Sequence, residues 1–385
     1  MGPSPSALIA EHLRPGARVA VADGAGLPLS LGAPLAEAAA SVGGISLLLG
    51  WCLAEAVPIE SGLFTDVRTV MGGFALRQSI ERGEVGYVPV RLSAMPSLML
   101  GPLRPDVLLI SWRRESDGWA WGSEVSWMKS LVDGGVTVLI EENAGLPATS
   151  REPLVPLDRG TVVSVVDRPP IDFDAGAVDE TARAVARQVI PWVPPESALQ
   201  YGPGPVGAAL LAEITHPIHV RSGMVTDAVV DLSERGLLLG TPLAAYVAGT
   251  KRVYDWADGR GVTSRVETTH ALPRVGEPSL VSLNSALEID HVGQVNVQSA
   301  GGRQISGIGG HPDFAMLGSV SPHGVSVIAL PTQRGGRATL VESLSGPVST
   351  PRFDVDVVVT ERGSADLRGR TDRERIELLE SLWRG

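Results

Sequence analysis

The chain has 385 residues, with 32 Lys and Arg against 43 Asp and Glu and a formal charge of -11. That balance excludes DNA or RNA as a main partner, because phosphate-backbone binding needs a surplus of cations to release counterions. The length exceeds what one hydrophobic core usually serves and predicts two domains.

From the N-terminus, Met1-Gly2-Pro3-Ser4-Pro5 lacks the basic segment, apolar core and small-residue cleavage site of a secretory leader. No apolar run reaches the roughly 18 residues a membrane span needs, so the expectation is a cytoplasmic protein without a membrane partner. Val19 to Ala22, Ile45 to Leu49, Val107 to Ile110, Val136 to Ile140 and Val162 to Val166 read as short strands, continuous in apolar character as buried parallel strands are. Between them, Leu35 to Ala40 and Val125 to Val132 have helical spacing. Cys52, the one cysteine, lies in the apolar stretch Leu47 to Leu53 and reads as a buried structural thiol; it excludes an intrachain disulfide and a four-cysteine metal site. Trp112, Trp119, Trp121 and Trp127 cluster in the first half, either as core or beside an apolar ligand.

After a predicted helix at Glu180 to Val189, the run Ile190-Pro191-Trp192-Val193-Pro194-Pro195 forbids helix and denies strand hydrogen bonds, which predicts domains 1–192 and 193–385. Beyond it, Ala228 to Leu232 reads as helix. Leu280 to Leu283, Val325 to Leu330 and Val355 to Thr360 read as strands, and Asp372 to Trp383 as a terminal helix with salt-bridged faces.

In Asn284 to Gln294, groups that donate or accept protons follow directly on a predicted strand, where open α/β sheets place ligands. Such a segment is also an ordinary turn with Asn and Asp capping backbone groups. In Ser306 to Phe314 the glycines Gly307, Gly309 and Gly310 let backbone N–H groups approach an anionic oxygen, or serve a tight bend. A G-x-G-x-x-G match, Gly202 to Gly207, follows the proline-rich run and no predicted strand, which argues against a dinucleotide fingerprint. The histidines His216 and His219 flank a proline and complete no ligand set, so no metal is expected. No G-x-S-x-G elbow is present. Glu361 follows the strand Val355 to Thr360, as a site carboxylate or as half of a surface pair with Arg362.

Taken in order, these segments resemble the acetyl-CoA hydrolase/CoA-transferase family, particularly its 4-hydroxybutyrate CoA-transferase-like branch. The carriers are Leu199 to Gly204, Thr226 to Leu232, Gly249 to Asp255, Asn284 to Gln294, Ser306 to Phe314 and Val357 to Gly369, with thinner likeness at Gly86 to Ser93 and Pro105 to Ser111. The resemblance implies an α/β protein of two related open-sheet domains of the CoA-transferase type, with the active site in the cleft between them. It also implies a homodimer, an acyl-CoA or CoA as substrate or ligand, and no tightly bound cofactor. In such enzymes a glutamate attacks the acyl-CoA, which splits one acyl exchange into two steps.

Aligned through Met224 and Asp227 without a gap, the nucleophile's position here is Gly223, which has no side chain. The resemblance carries Asn284 and Glu361 over as catalytic residues, and Gly307, Gly309, Gly310 and Gly324 as CoA- or oxyanion-binding positions. His311 stands where the family has glutamine and introduces an imidazole able to move a proton near neutral pH. The expectation is an acyl-CoA-processing enzyme working without a glutamyl-CoA intermediate, by thioester hydrolysis or another reaction at the acyl group, with His311 or Glu361 as base. The alternatives are a true CoA-transferase with a relocated carboxylate such as Glu288, and a catalytically inactive protein that binds CoA esters.

Overall fold

Aliphatic runs buried on both faces need a layer of helices on each side, and the chain meets that need twice. A computed structural model describes residues 2–60 and 62–384. It divides into unit 1, Met1–Phe173 with Ala245–Val266, and unit 2, Asp174–Ala244 with Glu267–Gly385.

In unit 1 the strands are β1 (Arg18–Val21), β2 (Ser46–Leu49), β3 (Asp66–Thr69), β4 (Gly86–Tyr87), β5 (Val107–Arg114), β6 (Trp119–Trp121), β7 (Thr137–Asn143) and β8 (Thr161–Val166). They lie in the order β4-β3-β2-β1-β5-β7-β8 with parallel neighbours, and β6 pairs antiparallel with β5. The direction of winding reverses between β1 and β5. Val19, Val21, Leu47, Leu49, Val107 and Leu109 form one buried layer with Leu35 and Ala38 of the helix Gly32–Val42. That helix stops at Gly43, whose φ of 75° a side chain would disfavour. Trp112, Trp119 and Trp121 are at most 1% exposed; the first stacks on the second and meets the third edge-on, so these rings are core.

In unit 2 the main sheet contains β9 (Ala198–Tyr201), β10 (His219–Val220), β11 (Leu280–Ser285), β12 (Val325–Ala329), β13 (Val357–Thr360) and β14 (Gly363–Asp366). The order is β10-β9-β11-β12-β13-β14, parallel except for the hairpin that adds β14. Here the winding reverses between β9 and β11. The helix Glu180–Val189 begins at Asp179, whose carboxylate accepts the N–H of Ala182, and buries Ala182, Val185, Ala186 and Val189.

Two expectations from the sequence need correction. The division of the chain is not a single cut between residues 192 and 193: the helix Glu180–Val189 already belongs to unit 2, and residues 245–266 return to unit 1. The reason lies in the backbone, where Val247 N–H donates to Ser123 O and Thr263 N–H to Thr149 O. Nor does the G-x-G-x-x-G turn lack a strand. It leaves β9 and opens the helix Pro205–Glu213. The prolines before it and the polar Gln200 within it had masked a four-residue strand that is buried throughout.

Candidate functional site

The ligand edge of an open α/β sheet lies beyond its carboxyl-terminal strand ends, at the point where strand order reverses. In unit 2 that point separates β9 from β11, and two buried amides meet across it. Gln200 Nε2 donates to Asn284 Oδ1 at 3.3 Å and Asn284 Nδ2 returns a bond to Gln200 Oε1 at 3.2 Å. Both side chains are nearly fully buried, so each amide satisfies the other's desolvated donor and acceptor.

Beyond this pair the chain turns through Gly202 and Gly204, where an added Cβ would meet nothing within 4 Å, leaving the backbone open to solvent. Gly207 has the opposite reason to be glycine: a Cβ there would lie 2.1 Å from Gly202 O. These residues, with Ser285, Pro331 and Arg334, line a pocket of about 390 Å³ at the same sheet edge. Arg334 reaches across it to donate to Ala286 O at 3.0 Å.

His311 opens the helix His311–Val320 behind the turn formed by buried Gly307, Gly309 at φ 57° and Gly310. Its Nε2 lies 3.1 Å from Ser285 O and its Nδ1 2.7 Å from Thr350 Oγ1. A carbonyl only accepts, so Nε2 donates and Nδ1 accepts the hydroxyl proton. Burial pushes this imidazole down to about 4, against the raising effect of the bond to Ser285, so the ring is neutral near pH 7 with both nitrogens engaged. It ties the glycine turn to the end of β11.

Glu361 leaves β13 at the same edge. Its carboxylate accepts the N–H of Thr332 at 2.9 Å and, in a short bond, the Thr332 hydroxyl. Partial burial pushes this group upward, but the two Thr332 donors hold it below the usual carboxylate range, and it is ionised near neutrality. Each oxygen retains lone-pair capacity for a proton.

Gly223 follows β10 after Ser222, whose hydroxyl donates to Tyr201 O at 3.0 Å and pins the segment to β9. Among the described residues, the neighbour of an added Cβ at Gly223 is Phe314 Cε2 at an ordinary 3.6 Å. Phe314 packs on His270, ring centroids 4.5 Å apart. His270 had no motif to announce it. It is 7% exposed, its Nδ1 lies 2.7 Å from Thr269 Oγ1, and burial followed by the charge of Arg221 pushes it down to about 3. Arg221 in turn holds the loop that carries His270 through the carbonyls of Thr268, Thr269 and Ala271.

The structure thus places Asn284, Glu361, His311, Gly309, Gly310 and Gly223 along the carboxyl-terminal edge of one sheet, with Gly223 beyond β10 and Glu361 beyond β13. Gly324 does not join them. It precedes β12 at the opposite, amino-terminal edge, where a Cβ would lie 2.5 Å from Gly318 O and 2.9 Å from Leu280 O; close helix–strand packing accounts for this glycine. Glu288 is also set apart, in a small sheet where Glu288–Asp290 pairs with Val295–Asn296 and Leu340–Val341. Its Oε1 accepts from Asn296 Nδ2, Ser345 N–H and Ser345 Oγ.

Unit 1 carries a buried acidic cluster that the sequence did not disclose. Glu124 Oε2 accepts from Ala25 N–H, Gly26 N–H and Ser123 Oγ, at 3.1, 3.3 and 2.8 Å. Asp23 Oδ2 accepts from Trp51 N–H and Trp127 Nε1, both at 3.0 Å, and Tyr246 Oη lies 3.2 Å from Asp23 Oδ1. Burial raises Glu124 to about 8 and Asp23 to about 6. Gly24 and Gly26 are required by Glu124, whose oxygens would sit 2.5 and 2.4 Å from a Cβ at either position. The glycine pair directly after β1 was the available signal.

Residues 249–382 match the family model of the acetyl-CoA hydrolase/transferase C-terminal domain. The chain is 26% identical over 332 residues to the 4-hydroxybutyrate coenzyme A transferase of Clostridium kluyveri, covering 80% of this chain and 76% of that one. It is 28% identical over 247 residues to an acetyl-CoA hydrolase of Kluyveromyces lactis, covering 57% of this chain and 47% of that one. The crystal structure of RipA from Yersinia pestis shares the fold at a TM-score of 0.88 and 21% identity, over 99% of this chain and 93% of that one.

Proposed function

We propose, from the premise that the chain belongs to the acetyl-CoA hydrolase/CoA-transferase family, that it processes an acyl-CoA by direct attack of water on the thioester, without an acyl or CoA adduct on the protein. The observation that carries this reading is the open space at Gly223. A position that supplies a carboxylate in the relatives the sequence resembles here presents only a hydrogen, with Phe314 Cε2 at 3.6 Å as the neighbour of an added Cβ among the described residues. The chain therefore offers no carboxylate at that position.

In this reading Glu361 is the base. It is ionised, partly exposed and held by Thr332, and it takes the proton of the attacking water. His311 and Asn284 hold the strand ends in place, since both ring nitrogens of His311 and one donor and one acceptor of Asn284 are engaged within the protein. The backbone of Gly309 and Gly310 faces the charge that develops on the carbonyl oxygen. Water adds to the carbonyl carbon, the tetrahedral intermediate collapses with cleavage of the C–S bond, and CoA leaves as the thiol after taking up the proton. The products are CoA and the free acid.

A transferase routed through Glu288 receives less support, because that residue lies in the small sheet apart from the strand ends, with its Oε1 held by Asn296 and Ser345. The test is incubation with a panel of CoA esters, followed by thiol release and intact-protein mass. Release of CoA with an unmodified chain supports hydrolysis; no release from any ester sinks it. A homodimer belongs to the same proposal and is checked by sedimentation.

A further inference from the structure

The C-terminal helix Asp372–Arg384 is docked on unit 2 by Leu379, which is fully buried among Ile289, Val358, Ala365 and Leu367. That anchor fixes where the last turn of the helix falls. Trp383 Nε1 donates to Thr332 O at 3.1 Å and approaches Thr339 Oγ1 at 3.3 Å. Thr339 N–H donates to the same Thr332 carbonyl at 3.1 Å, and its hydroxyl donates to Pro331 O at 2.5 Å. The Arg362 guanidinium, one residue after Glu361, closes the loop by donating to Trp383 O.

Thr332 is therefore held from both sides. Its carbonyl is fixed by the indole and by Thr339, while its N–H and hydroxyl point to Glu361. Thr332 and Thr339 are 4% and 3% exposed, so water does not readily replace these partners. Bonds to the carbonyl restrain the peptide plane that follows Thr332, which narrows the freedom of the residue whose N–H and hydroxyl aim the Glu361 carboxylate.

We propose that Trp383 is a positioning residue for Glu361, acting through Thr332. The C-terminal helix, packed on the β13–β14 hairpin and tied to Glu361 by two consecutive hydrogen-bonded links, sets the orientation of that carboxylate and its affinity for a proton. The proposal rests on the reading of Glu361 as the base for its kinetic consequence, and not for its electrostatic one.

Two readouts on the full-length protein test it. The first is the titration of the Glu361 carboxyl, followed by carbon NMR in wild type, W383F, T332V and T332S. Loss of the indole donor in W383F and of the hydroxyl in T332V raises the Glu361 midpoint toward an ordinary carboxylate, while T332S stays near wild type. The second is kcat against KM on the best CoA ester, where W383F lowers kcat about tenfold and leaves KM within about twofold. A Glu361 titration unmoved by W383F overturns the proposal. Should W383F fail to fold, the Trp383 indole N–H resonance in E361Q decides instead: a shift supports the link and an unmoved resonance overturns it. Absence of turnover with every ester contradicts the proposed function alone, since the titration still decides the positioning role.

Discussion

The imidazole of His270 backs the α-carbon of Gly310 so closely that a methyl group there would lie 2.7 Å from Nε2. Gly310 has a φ of -89°, so sterics and not backbone conformation require glycine at this N-cap. His270 cannot swing away freely, because Phe314 packs against its ring and Thr269 meets Nδ1. Gly310→Ala is expected to cost about 1–3 kcal/mol from overpacking. In a His270→Ala background the same change costs less, and urea unfolding of the four proteins measures the coupling. An equal cost in both backgrounds contradicts the contact.

The buried acids and the buried histidines give opposite pH dependences. Glu124 rises from 4.5 to about 8 and Asp23 from 3.8 to about 6, so the folded state binds these protons more tightly than the unfolded chain. Their contribution is full at low pH and is lost as pH rises, through about 6 for Asp23 and about 8 for Glu124. Glu124→Gln keeps the shape and removes the titration. The Tm difference between wild type and this variant is expected to shift against wild type between pH 4.5 and 8, and to stay level above it.

His270 and His311 are lowered from 6.5 to about 3 and about 4, so the folded state prefers them neutral. Their contribution is full above pH 6.5 and is lost as pH falls through those values. His311→Gln is expected to flatten the acid limb of a Tm profile between pH 6.5 and 4. An unchanged acid limb contradicts a neutral, hydrogen-bonded His311.

Gly223→Glu tests the open position directly. With only Phe314 near the added Cβ and no positive φ to relieve, the variant is expected to fold with a Tm within a few degrees of wild type, a stability change of under about 1 kcal/mol. Incubated with an acyl-CoA, it gains a hydroxylamine-sensitive adduct on residue 223 that wild type lacks. A folded variant that forms no adduct shows that the rest of the nucleophilic site is also gone.

The alternation of aliphatic strands and helices was legible because each run, such as Leu47 to Leu49 or Val357 to Val359, is buried on both faces and carries no polar interruption. The helix Glu180–Val189 has the bounds its sequence pattern predicts, and the structure adds the cap from Asp179. β9 was not legible, since Gln200 breaks its apolar run and turns out to be paired with Asn284 from a distant strand. Contacts of that kind leave no local trace. Asp23 and Glu124 are joined through Tyr246 and the Gly24 to Gly26 turn, three separate segments, and the return of residues 245–266 to unit 1 is written only in backbone hydrogen bonds. Gly324 shows the reverse difficulty: a glycine packed against Gly318 and Leu280 looks, in sequence, the same as one that faces a ligand.

The central claim is attack by water with no covalent intermediate, and isotope incorporation measures it most directly. Single-turnover reaction of the wild-type protein with its best CoA ester in ¹⁸O-water, with mass spectrometry of both acid and protein, is the experiment. The account predicts one ¹⁸O atom in the released acid and none in the Glu361 or Glu288 carboxylates. Appearance of ¹⁸O in a protein carboxylate, or a CoA adduct on the chain during turnover, would contradict it.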